Sequence, residues 1–243
     1  MVIVLGGTGG IGSEVAAMCA ARGASVAVVG RSVGPVGEAI VNSIGAQGGV
    51  GRAYAVDITD EAAIADLTEA VSRDLGTVDG LVNSAAVMAN GGFLETPDST
   101  WREVIAVDLL SVVSACRAVL PGMVEAGRGS IVNVSTRLAD TGAADAAVYA
   151  SAKAGVVTLS RSLAAEFGPA GVRVNVVSPG TVATRMGRAV IESSAGQARR
   201  HQIPLRRFAT PAEVAEATAF LLSNAASGIT GQTLRINAGE FMA

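Results

Sequence analysis

Lys153 is the only lysine among 243 residues; the other 17 basic residues are arginines. Tyr149 is one of just two tyrosines. At i and i+4 the two side chains share one face of a helix, about one turn apart. An ammonium there favours a phenolate and draws a phenol of ordinary pKa near ~10 towards neutral pH. That is how a tyrosine becomes a general acid/base. A surface lysine beside a partly buried tyrosine would share the spacing, so the surrounding elements must decide between the two readings.

A second constellation lies at the N-terminal end. Val2-Ile3-Val4-Leu5 is a short apolar run, read as a buried strand. Gly6-Gly7-Thr8-Gly9-Gly10-Ile11-Gly12 follows it, and Ile11, Val15, Met18, Cys19 and Arg22 then repeat at helical spacing up to Gly23. Strand, glycine turn and helix are the context of a phosphate-binding turn. Glycines let the backbone approach a pyrophosphate, and the helix N-terminus supplies N–H groups and a positive dipole end.

The elements that position these residues alternate along the chain. Ser25–Val29, Gly51–Val56, Asp79–Asn83, Gly129–Val134, Val172–Val177 and Thr233–Ile236 read as further strands. Between them Ile64, Leu67, Val71 and Leu75 line one helix face. Thr100-x-x-Glu103 fits a capping box for a long helix through Val104, Val112 and Val119, and Thr210-Pro211-Ala212-Glu213 marks another helix start. The alternation predicts one α/β domain over 1–243, a single Rossmann-like doubly wound parallel sheet of about seven strands with helices on both faces. In such a sheet ligands bind outside the carboxyl ends of the strands. The glycine turn, Arg31, Asp57, Asn83, Ser135, Thr136 and Pro179-Gly180 all fall at those ends, and Tyr149 opens the helix after the fifth strand.

Composition narrows the function. The chain is 50% hydrophobic and 16% charged with 30 glycines, so it is globular with ample core material. A net charge of −3 leaves no global nucleic-acid footprint. Cys19 and Cys116 sit in apolar helical patterns without metal-ligand spacing, so buried free thiols in a reducing compartment are expected and no metal is. Met1 runs straight into the first strand with no basic segment, and nothing approaches the roughly 18 uninterrupted apolar residues of a spanning helix. The expected location is cytoplasmic, with neither membrane nor nucleic acid as partner.

Together these motifs resemble the short-chain dehydrogenase/reductase family over the whole chain, and within it the 3-oxoacyl thioester reductases and related carbonyl reductases. Gly6-x-x-x-Gly10-x-Gly12 is similar to its cofactor turn, Asn83-Ser84-Ala85-Ala86 to its Asn-Asn-Ala-Gly segment and Tyr149-x-x-x-Lys153 to its catalytic pair. Ser178-Pro179-Gly180-Thr181 is similar to its nicotinamide-side loop and Ile229-Thr230-Gly231-Gln232 to the segment before its last strand. The resemblance implies hydride transfer between a nicotinamide cofactor and a carbonyl or alcohol. It implies that Tyr149 protonates the carbonyl oxygen, that Lys153 holds the nicotinamide ribose and lowers the tyrosine pKa, and that Thr136 polarises the carbonyl with Ser135 as fallback. Departures accompany it. Thr136 stands where serine is usual, Asp108 where asparagine joins a proton relay, Leu5 where threonine precedes the glycine turn, and Ala86 where glycine is usual. A charge on Asp108 near Lys153 would raise the pKa of both groups.

The implied cofactor set is Gly6, Thr8, Gly10, Ile11, Gly12, Arg31, Ser32, Asp57, Ile58, Asn83, Ala85, Pro179, Gly180, Val182 and Thr184, with Tyr149 and Lys153 shared. NAD-specific members place an acid at the end of the second strand; here Gly30 occupies that place and Arg31 follows, so NADPH (NADP+) is expected. Segment 183–209 carries seven basic residues, counting His201, against Glu192, and in the family it covers the substrate. It reads either as a basic lid for an anionic substrate or as a solvated, paired surface. The expected function is reduction of a small-molecule ketone by a homotetramer. A dinucleotide-binding protein that acts by sensing or association is the alternative.

Overall fold

A computed structural model of the protein describes residues 1–242. Seven parallel strands form one sheet: β1 Val2–Leu5, β2 Val26–Gly30, β3 Gly51–Ala55, β4 Gly80–Asn83, β5 Gly129–Val134, β6 Val172–Pro179 and β7 Thr233–Ile236. Their order is β3-β2-β1-β4-β5-β6-β7. The helices are α1 Gly10–Ala21, α2 Gly34–Ala46, α3 Glu61–Leu75, α4 Asp98–Ile105, α5 Ser111–Glu125, α6 Leu138–Thr141, α7 Ala147–Phe167, α8 Arg185–Glu192, α9 Ser194–Arg200 and α10 Pro211–Leu222. This is the doubly wound sheet the sequence predicts.

Strand periodicity explains the two cores. Val2 and Val4 face one side, packed with Val15 and Cys19 of α1, Ile44 of α2 and Val214 of α10. Ile3 and Leu5 face the other, packed with Leu67 and Val71 of α3, Cys116 of α5 and Val156 of α7. Successive side chains point to opposite faces, and here both faces are covered, so the strands are apolar throughout. Both cysteines are free and buried, and burial pushes their thiols up to about 11 for Cys19 and about 12 for Cys116. Leu5 pairs with Val29 on one side and Asn83 on the other. The strand order reverses between β1 and β4, which opens a crevice at their carboxyl ends.

Some element boundaries differ from the sequence reading. Thr100 does not cap the fourth helix: α4 begins at Asp98 after Pro97, and the Thr100 N–H already donates to the Pro97 carbonyl at 3.0 Å. Proline supplies the extended backbone that starts the helix three residues earlier. The predicted long helix runs from Asp98 to Glu125, but a π-helical turn at Ala106–Leu110 interrupts it. By length and composition this helix could cross a membrane, the mean hydropathy of its most apolar 18-residue stretch being 1.9. In the fold their apolar face lies on the sheet through Val112, Val119 and Met123. At α10 the predicted capping box is present, with Thr210 and Glu213 bonded reciprocally.

The carboxyl end of α10 is closed by a side chain from the sheet. The half-buried Arg173 of β6 donates from Nη1 to the Leu221 carbonyl at 2.7 Å and from Nη2 to those of Leu222 and Ser223 at 3.3 and 3.1 Å. A guanidinium there satisfies the orphan carbonyls and meets the negative dipole end. Arg173→Leu is expected to lower the unfolding free energy by about 2 kcal/mol, read as a shift in the urea midpoint at constant m-value.

Candidate active site

Helix α7 begins at Ala147, so Tyr149 lies in its first turn and Lys153 one turn on. Tyr149 is 7% exposed, Lys153 1% and Asp108 0%. The π-helical turn reaches Asp108 into this space, a use to which such insertions are often put. Asp108 Oδ1 lies 3.0 Å from Lys153 Nζ, and Oδ2 accepts the Val87 N–H at 3.0 Å. The Lys153 ammonium is 6.0 Å from the centroid of the Tyr149 ring.

The electrostatics correct one sequence expectation. Burial pushes the Asp108 carboxyl above its ordinary value, opposed by Lys153 and the Val87 N–H. Burial, followed by the Asp108 charge, pushes the Tyr149 phenol above its ordinary value. Lysine alone would draw the phenol down. Here the lysine charge is met by Asp108, so desolvation of the phenolate wins.

The two hydroxyls at the end of β5 are not equivalent. Ser135 Oγ donates to the Lys153 carbonyl at 3.0 Å and fixes α7 to the sheet. That bond engages the one hydrogen its hydroxyl carries. Thr136 Oγ1 accepts the Leu138 N–H at 3.3 Å and keeps its own hydrogen free to donate. The Asn83 side chain is also committed. Its Nδ2 donates to Asn133 Oδ1 at 2.7 Å, and Asn133 Nδ2 donates to Ser160 Oγ at 2.9 Å. This network ties β4, β5 and α7 together through the Asn83 amide nitrogen.

Across the crevice the residues fit a dinucleotide. Gly9 caps α1 without a side-chain bond, leaving the first-turn N–H groups available to an anion. The turn tolerates only glycine. A Cβ on Gly12 would lie 2.2 Å from the Gly6 carbonyl oxygen, and one on Gly6, at φ +76, 2.5 Å from the Ala85 nitrogen. Thr184 packs on the turn, its methyl 2.9 Å from where a Gly10 Cβ would stand. The Thr8 hydroxyl fills the place of a side chain at Gly30, 2.5 Å from an ideal Cβ. Arg31 and Ser32 beyond it are exposed. Asp57 at the end of β3 is held below the usual carboxylate range by bonds from Thr59, with Arg31 adding a smaller pull. Ile58 packs under this edge, and Val182 is buried in a bridge with Ala209. Gly6, Gly10, Gly12, Ala85 and Thr184 thus meet at one end of α1, with Thr8, Arg31 and Asp57 at the neighbouring strand ends. The Pro179 carbonyl accepts the Arg137 N–H at 2.9 Å, which joins the turn after β6 to the Thr136 loop.

Sequence reasoning missed three features. Segment 183–209 folds into α8 and α9, whose Thr184 and Ser193 caps were the available signal. Its arginines are partly paired: Arg207 with Glu213, Arg206 with the His201 carbonyl and Arg199 with Glu240. Arg185, Arg188 and Arg200 are exposed. Arg137 pairs with Glu240 at 3.0 Å. Its place next to Thr136 could have flagged it, whereas Glu240 belongs to no motif.

A doubly wound sheet, a bare helix N-terminus at its switch point and a buried Tyr–Lys pair across the crevice define a nicotinamide-dependent oxidoreductase of carbonyls and alcohols. A family model described as enoyl-(acyl carrier protein) reductase matches residues 6–240. D-threitol dehydrogenase of Mycolicibacterium smegmatis is 37% identical, covering 98% of this chain and 92% of its own. A Xanthobacter autotrophicus protein named inactive 2-(S)-hydroxypropyl-CoM dehydrogenase 2 is 42% identical, covering 89% and 95%. Among solved structures, a protein from Beutenbergia cavernae described as a candidate NAD(P)-dependent gluconate 5-dehydrogenase, with NADP bound at low occupancy, has TM-score 0.93 at 33% identity over 98% of this chain and 95% of that one. An NAD+-bound xylitol dehydrogenase has TM-score 0.92 at 26% identity over 98% and 97%. The chain belongs to the short-chain dehydrogenase/reductase family.

The Asp108 charge is accessible to direct test. Tyr54, the other tyrosine, is pushed up to about 12 by burial and by Asp74. In Asp108→Asn the lysine charge is no longer met and acts on the phenol. The Tyr149 pKa is expected to fall, so tyrosinate absorbance develops at lower pH than in wild type. An unchanged titration would show that Asp108 does not hold the phenol protonated.

Proposed function

We propose that the protein is an NADPH-dependent reductase of a small ketone, equivalently a secondary-alcohol dehydrogenase in the reverse direction. The observation that carries the reading is the buried phenol of Tyr149 beside the Lys153–Asp108 pair. A phenol held protonated is the acid that carbonyl reduction needs. A bound nicotinamide dinucleotide supplies the hydride to the carbonyl carbon, or accepts it from the alcohol. Tyr149 gives its hydroxyl proton to the developing alkoxide, and Thr136 donates a hydrogen bond to the same oxygen. Lys153 and Asp108 set the charge around the phenol. Next to Tyr149 the chain presents Phe93, Trp101, Val104 and Val148 together with Thr96 and Asp145, a wall of mixed polarity. The names of the polyol and gluconate dehydrogenases add hydroxylated ketones to the candidates.

NADPH is favoured over NADH by Gly30, which presents no acid to a 2′-phosphate, and by Arg31 beside it. Ser32 adds a hydroxyl. The sensing alternative draws on the relative whose name carries the word inactive and on Asp108 in a family asparagine position. Cytoplasmic location and a homotetramer belong to the same reading; sedimentation showing only monomer would remove the latter.

One kinetic series tests it, on a panel of ketones with each dinucleotide. Tyr149→Phe is expected to lose more than about 10²-fold in rate while still binding cofactor. Thr136→Ala is expected to raise the barrier by about 2–4 kcal/mol. Wild type is expected to prefer NADPH by about ten- to a hundredfold in kcat/KM, and Arg31→Ala to lose that preference. Dinucleotide binding without turnover of any carbonyl would favour the sensing alternative. Equal use of both dinucleotides by wild type would show that Arg31 does not read the phosphate.

A further inference from the structure

After β7 the chain makes a tight turn that drives Glu240 inward. Asn237 Oδ1 accepts the Gly239 N–H at 2.9 Å, and Asn237 Nδ2 donates to the Phe241 carbonyl at 2.8 Å. Ala238 is held at φ 55, a conformation that a side-chain-bearing residue keeps only when its surroundings impose it. Gly180 leaves the carboxylate room: a Cβ there would lie 2.5 Å from Glu240 Oε2. The Glu240 side chain is 4% exposed. A carboxylate so desolvated must be paired and bonded to remain charged.

Its partners come from three separate segments. Arg137, next to Thr136, places Nε 3.0 Å from Oε1. Arg199, the penultimate residue of α9, places Nε 3.2 Å from the same oxygen. Thr181, in the turn after β6, donates its N–H to Oε2 at 2.8 Å and its hydroxyl to Oε1 at 3.2 Å. Arg199 Nη2 also donates to Thr181 Oγ1 at 3.0 Å, so the segments bond to one another as well as to the acid. One carboxylate therefore joins the helical cover, the turn beside the nicotinamide-side loop and the loop of the carbonyl-polarising threonine. The two inward arginines are consequently engaged within the chain, which removes them as receptors for an anionic substrate.

We propose that Glu240 is a positioning residue: its carboxylate latches α9 onto the Thr181 turn and the Thr136 loop, and so holds the substrate cover closed over the crevice. The proposal deepens the oxidoreductase reading and rests on it for the kinetic arm. The latch works through charge, so the isosteric Glu240→Gln releases it without opening a void. Arg199→Gln releases the cover from the other side, at a site less buried than the acid.

The test compares both variants and their double with wild type in two measurements. In Glu240→Gln, amide exchange over 183–200 is expected to speed by about tenfold and KM for the accepted ketone to rise by about tenfold, with kcat changed far less. Arg199→Gln is expected to move both in the same direction. The double variant is expected to be no worse than Glu240→Gln, because the two act through one contact. Wild-type exchange and KM in both single variants would overturn the latch. A lowered Tm with unchanged KM and exchange would overturn it too, as that marks a purely structural ion pair. The exchange arm needs no turnover. If wild type reduces no ketone, the function fails and the latch is still decided.

Discussion

A lysine ammonium taken almost wholly out of water needs a partner, and the active site is built on that requirement. Lys153 is 1% exposed and finds Asp108 at 3.0 Å. The carboxylate, itself fully buried, also needs the Val87 N–H. Removing either charge would leave the other desolvated and unmatched, which is the costly state. The π-helical turn, the start of α7 and the chain after β4 must therefore keep their relative places. The phenol sits in the same dry space. Burial and the nearby carboxylate both push its pKa up, against the downward pull that Lys153 alone would exert.

The supports behind this pair are also polar and buried. Ser135 holds the backbone of Lys153 itself, and the Asn83–Asn133–Ser160 chain fixes two strands and α7 relative to one another. Each of these groups is satisfied inside the fold, and satisfied buried networks specify one arrangement. Rigid strands on one side and helix α1 on the other then leave the crevice as the space between well-fixed walls. The softer part is the cover, where short helices α8 and α9 carry many exposed side chains.

The fold was legible because its signals are local. Short apolar runs, glycine turns and helix caps each declare themselves within about ten residues, and the Tyr149–Lys153 spacing is local in the same way. Asp108 was visible by position, and so was the upward push of its charge. That burial is the larger cause was not visible, because it requires knowing what packs around the phenol. Ser135 and Asn83 stand at strand ends, where ligand contacts occur; only the folded chain shows that Ser135 Oγ also holds the Lys153 carbonyl and Asn83 Nδ2 the Asn133 side chain. The Thr100 capping box failed because Pro97 supplied a competing start. Glu240 lay outside every motif, since its meaning comes from Arg137, Thr181 and Arg199, which are 103, 59 and 41 residues away along the chain.

The order of the strands has a consequence for how the molecule comes into being. Strand β1 is a central one, and its two partners lie at very different distances along the chain. Val2 must wait for Val26 on one side and for Gly80 on the other before its ladder is complete. Loop-closure entropy has to be met before such distant pairings stabilise anything, so parallel sheets of this kind fold slowly and expose apolar strands meanwhile. Until β4 is made, Val2–Leu5 has no ladder partner on one of its edges. The glycine turn, by contrast, needs only the helix that follows it directly, α1. The dinucleotide-binding turn is therefore written early and its other half late, so a truncated chain inherits an adhesive strand edge long before it inherits a function.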